Sequence, residues 1–183
     1  MAFATTEALE AALDDIRSAP ATGGTVELIV RRPAVGEREI LTSARLVHGE
    51  GVAGDTWNVR GSRRTDDGSS HPDMELNIMN ARFGRAIADD DEHLALAGDQ
   101  LYLDLDLADA TSGPGARFAI GTAEIEITDQ PHTGCAKFRD RFGVDAARFV
   151  NSDVGSALHL RGVNARVVVD GDIAVGDAVI RIV

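Results

Sequence analysis

Apolar positions recur at two periods along this chain. Leu9, Ala12, Leu13 and Ile16 fall at helical spacing, Thr5 or Thr6 stands where an N-cap belongs, Glu7 lies in the first turn and Pro20 just past the end. The pattern predicts a helix over Thr5–Ala19. The Ala-Thr-Gly-Gly turn at 21–24 makes that helix an appendage or lid, so residues 1–24 read as an N-terminal helix and linker and 25–183 as one domain. Beyond it the period shortens to two. Thr25–Arg32, Glu39–Val47 and Glu75–Met79 are predicted strands, and Asn80 is placed to cap a helix over 81–89. Leu101–Leu107 alternates apolar with acidic residues, and Arg117–Thr128 alternates through Phe118, Ile120, Ile125 and Ile127. Lys137–Val150 returns to helical spacing with Phe138, Phe142, Ala146 and Phe149 on one face, weakened at Gly143. The C-terminus reads as a meander of Arg166–Val169, Ile173–Val175 and Ala178–Val183, with turns at Asp170-Gly171 and Gly176-Asp177. Asn58–Asp73, polar with three Arg, reads as a surface loop. Seven or more short strands against three helices, without regular alternation, predict a mostly β fold: a closed antiparallel or mixed β-barrel with a few helices, not a doubly wound parallel sheet.

The length of 183 residues suits one domain with a core of its own. A net charge of −12 argues against a nucleic-acid surface, which needs a cationic face, while leaving room for a local cationic pocket. No apolar run approaches the length of a membrane span, and the first residues have no basic segment ahead of an apolar one. The expectation is a cytoplasmic protein whose single cysteine, Cys135, is kept reduced. One cysteine excludes an internal disulfide and any multi-cysteine metal site.

The most informative stretch is Gln130-Pro131-His132-Thr133-Gly134-Cys135-Ala136-Lys137-Phe138. It sits between a predicted strand and a predicted helix, where backbone N–H groups favour a thiolate. Lys137, the only lysine, adds a cation, and His132 could orient toward the sulfur or act in acid–base chemistry. Such a cysteine suits a nucleophile, a persulfide carrier or a soft-metal ligand; the competing reading is a small buried hydrophobe. Gly49-Glu50-Gly51-Val52-Ala53-Gly54 has dinucleotide-loop glycine spacing, but no helical period follows, so it reads as a tight connection in which Asp55 could bond loop amides. The Arg63-Arg64 pair could clamp a phosphate, although a solvated loop is the commoner fate of such a pair. Arg161-Gly162-Val163-Asn164-Ala165-Arg166 places two Arg and an Asn around a glycine, a candidate anion seat.

In order, Gly51-Val52-Ala53-Gly54-Asp55, Ala97-Gly98-Asp99-Gln100-Leu101, Ile120-Gly121, Pro131 to Phe138, Arg161 to Val167 and Val175-Gly176-Asp177 resemble the elements of the MOSC domain, named for the C-terminal domain of molybdenum-cofactor sulfurases. The resemblance runs from about Val26 to Val183, with Gly134 where many members carry proline before the cysteine. It implies a β-barrel and binding of molybdenum cofactor, a molybdopterin. Cys135 would be the metal ligand and catalytic centre with His132; Lys137, Arg161, Asn164, Arg166 and Asp55 would bind cofactor. The implied activity is reduction of N-hydroxylated small-molecule substrates, with a separate reductase, since no flavin or iron–sulfur motif is present. The alternatives are a cysteine persulfide sulfur carrier served by a sulfur donor protein, and a non-catalytic ligand-binding barrel. Pyridoxal phosphate, often associated with the family, would need Lys137 for an internal aldimine; two residues from Cys135 on a helix it points to another face, so no aldimine is expected.

Overall fold

The computed structural model describes residues 3–62 and 64–182. Its strands are β1 (Gly24–Arg31), β2 (Glu39–Leu41), β3 (Ser43–Val47), β4 (Gly51–Val52), β5 (Leu76–Asn80), β6 (Leu101–Asp104), β7 (Arg117–Ile120), β8 (Ala123–Ile127), β9 (Val163–Val169), β10 (Gly171–Ala174) and β11 (Ala178–Ile182). Its α-helices are α1 (Thr6–Ala11), α2 (Leu13–Arg17), α3 (Trp57–Arg60), α4 (Ala81–Ile87), α5 (Asp91–Ala95), α6 (Asp109–Ser112), α7 (Ala136–Val150) and α8 (Asp153–Ala157).

Seven strands close a mixed barrel in the order β11-β7-β8-β9-β5-β6-β1, with β1 returning to β11. The pairing of β5 with β6 is parallel; its neighbours in the ring pair antiparallel. Outside the ring, β2 extends β1, while β10, β3 and β4 form a small second sheet. Period-two patterning puts one face of each strand inside. Ala123, Ile125 and Ile127 of β8 point inward and are buried. In β1 the phase slips: Val26 and Ile29 face the barrel interior, whereas Leu28 and Val30 face the helices. A bulge between Val26 and Leu28 causes the slip, so one strand feeds two cores.

The second core lies between barrel and helices and joins Leu9, Ile16, Phe83, Tyr102, Phe138, Phe142 and Leu160. The α1–α2 pair, the expected lid, packs into this layer through Leu9 and Ile16. Thr5 caps α1 and Asn80 caps α4, as their positions predict.

The structure corrects several expectations, beginning with the single helix over Thr5–Ala19, which is two, α1 and α2, meeting at Ala12. The Glu39–Val47 strand is split at Thr42, whose carbonyl accepts from Val175 N, so that β2 stays on β1 and β3 joins β10. Arg117–Thr128 is a hairpin folded at Gly121-Thr122. The C-terminal segments do not meander: β9 sits between β8 and β5, β10 leaves for the small sheet, and β11 returns between β7 and β1. Local turn chemistry was visible there, but the partners lie far away in sequence. The Asn58–Asp73 segment starts inside α3, next to the buried Trp57.

Candidate functional site

A cleft of about 700 Å³ brings together Cys135, Lys137, Arg32, Arg38, Arg60, Arg141 and Arg161. Its six cations stand in a chain of net charge −12, so the concentration of positive charge is local. Two Gly-Asp turns build its base. Asp55 follows Gly54 and is buried, its carboxylate accepting from Arg32 Nε and Nη2, each at 2.8 Å, and from the backbone N–H groups of Arg32 and Trp57. Burial works to raise the Asp55 pKa, but the hydrogen bonds and charge of Arg32 win and hold it below the ordinary value. Asp99 follows Gly98, is fully buried, and accepts from Arg161 Nη1 at 2.7 and 3.0 Å.

Between α5 and β6, four consecutive backbone carbonyls each accept from a different arginine. Arg38 Nε donates to Ala95 O at 3.1 Å, Arg141 Nη1 to Leu96 O at 2.5 Å, Arg161 Nη2 to Ala97 O at 3.0 Å and Arg32 Nη1 to Gly98 O at 2.9 Å. Residues from the loop between β1 and β2, from α7 and from the approach to β9 are thereby tied to one turn. Carbonyls orient guanidinium groups without cancelling their charge. The result shows at Arg38, whose pKa is lowered by burial and by the neighbouring Arg141 and Arg32, and at Arg60, lowered by desolvation and by Arg32 and Arg38.

Cys135 is exposed, which removes the reading of an inert buried thiol. It occupies the N-cap position of α7, whose helical path is interrupted at Gly143. Asn151 fixes the peptide before it: Gly134 N donates to Asn151 Oδ1 at 3.0 Å, and Asn151 Nδ2 donates back to Gly134 O at 3.2 Å. A side chain at 134 would lie 2.7 Å from Val150 Cγ2, so glycine there serves packing against the far end of α7. Under the cleft the Arg161 guanidinium lies 4.9 Å from the Phe138 ring centroid, and Phe138 leans on Phe142, which stacks on His93.

The other expected residues fall in different places. Lys137 lines the cleft. Asp55 reaches it only through Arg32. Asn164 is fully buried below it, bonded to Asn77 and to Gln130 O; Asn77 itself lines the cleft. Arg166 is not brought to the cleft: it pairs with Asp73 and Glu126 and lines a separate hollow with His48 and Glu75. Arg63 lies outside the described residues, and Arg64 is exposed beside Met74. His132 stands 3.6 Å from Asp99 with Nδ1 unpaired and buried. Burial, and then Arg161, push its pKa down to about 3, so the imidazole is neutral at neutral pH. Sequence reading did not find Arg32, Arg38, Arg60, Arg141 or Asn151. The one local signal is Lys137 and Arg141 at i, i+4, a like-charge pair that a solvated helix avoids.

Two expected outcomes follow from this base. Gly162 has φ +108°, and a Cβ there would meet Ile78 O at 2.2 Å and His132 Nδ1 at 3.2 Å. Gly162→Ala should cost about 3 kcal/mol in urea unfolding, from left-handed backbone strain plus overpacking; a loss near zero would refute the tight approach. For His132 the unfolded chain binds a proton that the folded one refuses, so stability rises with pH between about 3 and 6.5. The His132 contribution is complete above pH 6.5 and is lost on acidification, at up to about 1.4 kcal/mol per pH unit. His132→Gln should flatten that slope; an unchanged slope would contradict it.

Among the described residues no group of three or more His, Cys, Asp or Glu could hold a metal ion, so one thiolate cannot seat a bare ion here. The residues fit a metal carried by an organic cofactor: Cys135 offers one soft ligand at the rim, and the arginines offer donors for an anionic tail. The unpaired, buried Arg161 Nε is one such donor held in reserve. Among the described residues no helix is long and apolar enough to cross a membrane.

The backbone is similar to that of solved structures. The YUAD protein from Bacillus subtilis matches with TM-score 0.61 and 13% identity, over 85% of this chain and 93% of that one. YiiM from Escherichia coli matches with TM-score 0.56 and 17% identity, over 87% and 70%. YiiM from Geobacillus stearothermophilus gives 0.53 and 12%, over 90% and 75%. At such identities the likeness concerns fold. No curated protein matches the chain. The sequence profile of the MOSC domain matches residues 71–180, from the turn before β5 into β11, and so includes Asp99, Cys135 and Arg161. With more than half its length so matched, in the barrel described above, the chain belongs to the MOSC domain family.

Proposed function

We propose that this protein binds molybdenum cofactor in the Cys135 cleft and acts in the reduction of N-hydroxylated compounds. The observation that carries the reading is one exposed thiol on the rim of a cleft walled by six cations. Cys135 would ligate the metal. Arg161 and Arg32, locked over Asp99 and Asp55, would hold the cofactor's phosphate with no reorganisation on binding. The Phe138 ring gives the base a flat apolar surface. Bound there, the cofactor would supply two-electron chemistry, converting an N–O compound, two electrons and two protons into the reduced nitrogen compound and water. Lys137, in the same wall, can donate a hydrogen bond to the substrate oxygen. His132 has no imidazolium proton to give at neutral pH and would serve as a neutral wall 3.6 Å from Asp99. Electrons would come from a separate reductase.

The test is anaerobic reduction of benzamidoxime to benzamidine with a reduced viologen dye, using protein made in cells with an intact cofactor pathway. Wild type should turn over, and Cys135→Ser should fall at least a hundredfold. Equal rates in the two would end the proposal. A second reading, the persulfide carrier, is favoured by a separate feature: Cys135 also borders an open hollow of about 460 Å³ lined by Val144, Ala147 and Arg148, which leaves the sulfur open to a protein donor. A dithiothreitol-labile sulfur adduct on wild type but not on Cys135→Ala, with no turnover, would select it.

A further inference from the structure

The charges in the cleft do not balance for a ligand with one phosphate. Arg32 and Arg161 are neutralised by Asp55 and Asp99. Among the described residues, Arg38, Arg60, Lys137 and Arg141 line the same cleft without a carboxylate within ion-pair distance. Two of them are built in rather than waving in solvent. Arg38 and Arg141 are half-buried, and each is anchored to a carbonyl at the C-terminal end of α5. Those two carbonyls, Ala95 O and Leu96 O, belong to consecutive residues, so both guanidinium groups are tied to the same end of α5. They repel each other, and the repulsion contributes to the lowered Arg38 pKa. An arrangement that keeps like charges together against repulsion gains most when an anion sits between them. A phosphate monoester carries at most two negative charges and would leave two of these four cations uncompensated.

We infer that Arg38 and Arg141 form a second anion seat in the cleft, so that the complete ligand set carries two anionic groups. The inference rests on the Cys135 cleft being the ligand site. The shared chemistry is a second oxyanion, from either of two sources: a diphosphate on the cofactor's tail, or a carboxylate on the substrate. Arg60, exposed on the facing helix α3, adds to the field at the entrance. Arg166, which sequence spacing had suggested for an anion, takes no part, being paired to Asp73 and Glu126.

Calorimetry on the full chain, made in cells unable to synthesise molybdenum cofactor, tests this with pyrophosphate, orthophosphate and benzoate. A diphosphate source predicts that pyrophosphate binds at least tenfold more tightly than orthophosphate. A carboxylate source predicts that benzoate and orthophosphate bind together without competition. In either case Arg38→Gln and Arg141→Gln should each remove the extra binding, Arg38→Lys should retain most of it, and Arg181→Gln, on β11, should change nothing. The proposal is overturned if pyrophosphate binds no better than orthophosphate while benzoate competes or fails to bind, or if the preference survives both glutamine variants. The emission of Trp57, the only tryptophan, gives a second readout three residues from Arg60. Molybdenum content separates the two readings. Metal-loaded protein without the anion preference would remove the seat alone; a preference in a chain that never loads metal would remove the cofactor alone.

Discussion

Replacing Asp99 by alanine should lower the unfolding free energy by about 3–5 kcal/mol, the cost of breaking a buried ion pair from one side. Asp99 is fully buried and Arg161 is 6% exposed, so the stranded guanidinium would meet water only at its edge on the cleft. Its Nη2 would keep only the Ala97 carbonyl, and Nε is already without a partner. His132 would meanwhile lose the one carboxylate that opposes its depressed pKa. The double variant Asp99→Leu with Arg161→Met should recover much of the stability, because an apolar pair avoids the desolvation cost of two charges. It should not recover anion binding in the cleft. Urea unfolding of the single and double variants reads this directly, and a single-variant loss below about 1 kcal/mol would show that the pair is better solvated than its burial indicates.

The barrel was legible because its strands carry their own evidence. The alternation through Phe118, Ile120, Ile125 and Ile127 decides which face goes inside, whatever the partner strand is. Strand partners were not legible. The pairing of β10 with β3 spans more than a hundred residues, and nothing in Gly171–Ala174 or Ser43–Val47 names the other. The bulge in β1 likewise leaves a simple apolar run at 28–30, with no sign that alternate residues serve different cores.

The site divides in the same way. Cys135, Lys137 and Arg161 were found because they lie in short, distinctive segments. Arg38 and Arg141 were hidden: with seventeen Arg in the chain, neither stands out, and what places them in the cleft is a hydrogen bond to a backbone carbonyl, which any residue at 95 or 96 supplies. The Gly-Asp turns were visible, but their purpose was not, since each acid acts on an arginine remote in sequence: Asp55 on Arg32 and Asp99 on Arg161. Nothing local marked the packing role of Gly134, because the atoms a side chain there would meet belong to Val150 and Asn151 at the far end of α7. A chain of −12 overall can hold a cationic cleft because surface charges beyond about 8–10 Å are screened, while the guanidinium groups inside act at contact.

Cys135→Ser should abolish metal retention while leaving the fold intact. The side chain is exposed and caps no amide of α7, so its removal costs no contact, and serine at this N-cap position should leave stability unchanged or raise it by up to about 1 kcal/mol. Serine is the smaller oxygen analogue of cysteine, and its hydroxyl is a far poorer ligand for a soft metal than a thiolate. Among the described residues no other cluster could take over the ion, so the loss should be complete rather than graded. The deciding measurement is molybdenum per chain, by elemental mass spectrometry, on wild type and Cys135→Ser purified side by side from cells with an intact cofactor pathway. Near-stoichiometric molybdenum in wild type and background in the variant is the predicted result; background in both, or equal molybdenum in both, would contradict a cofactor held at Cys135.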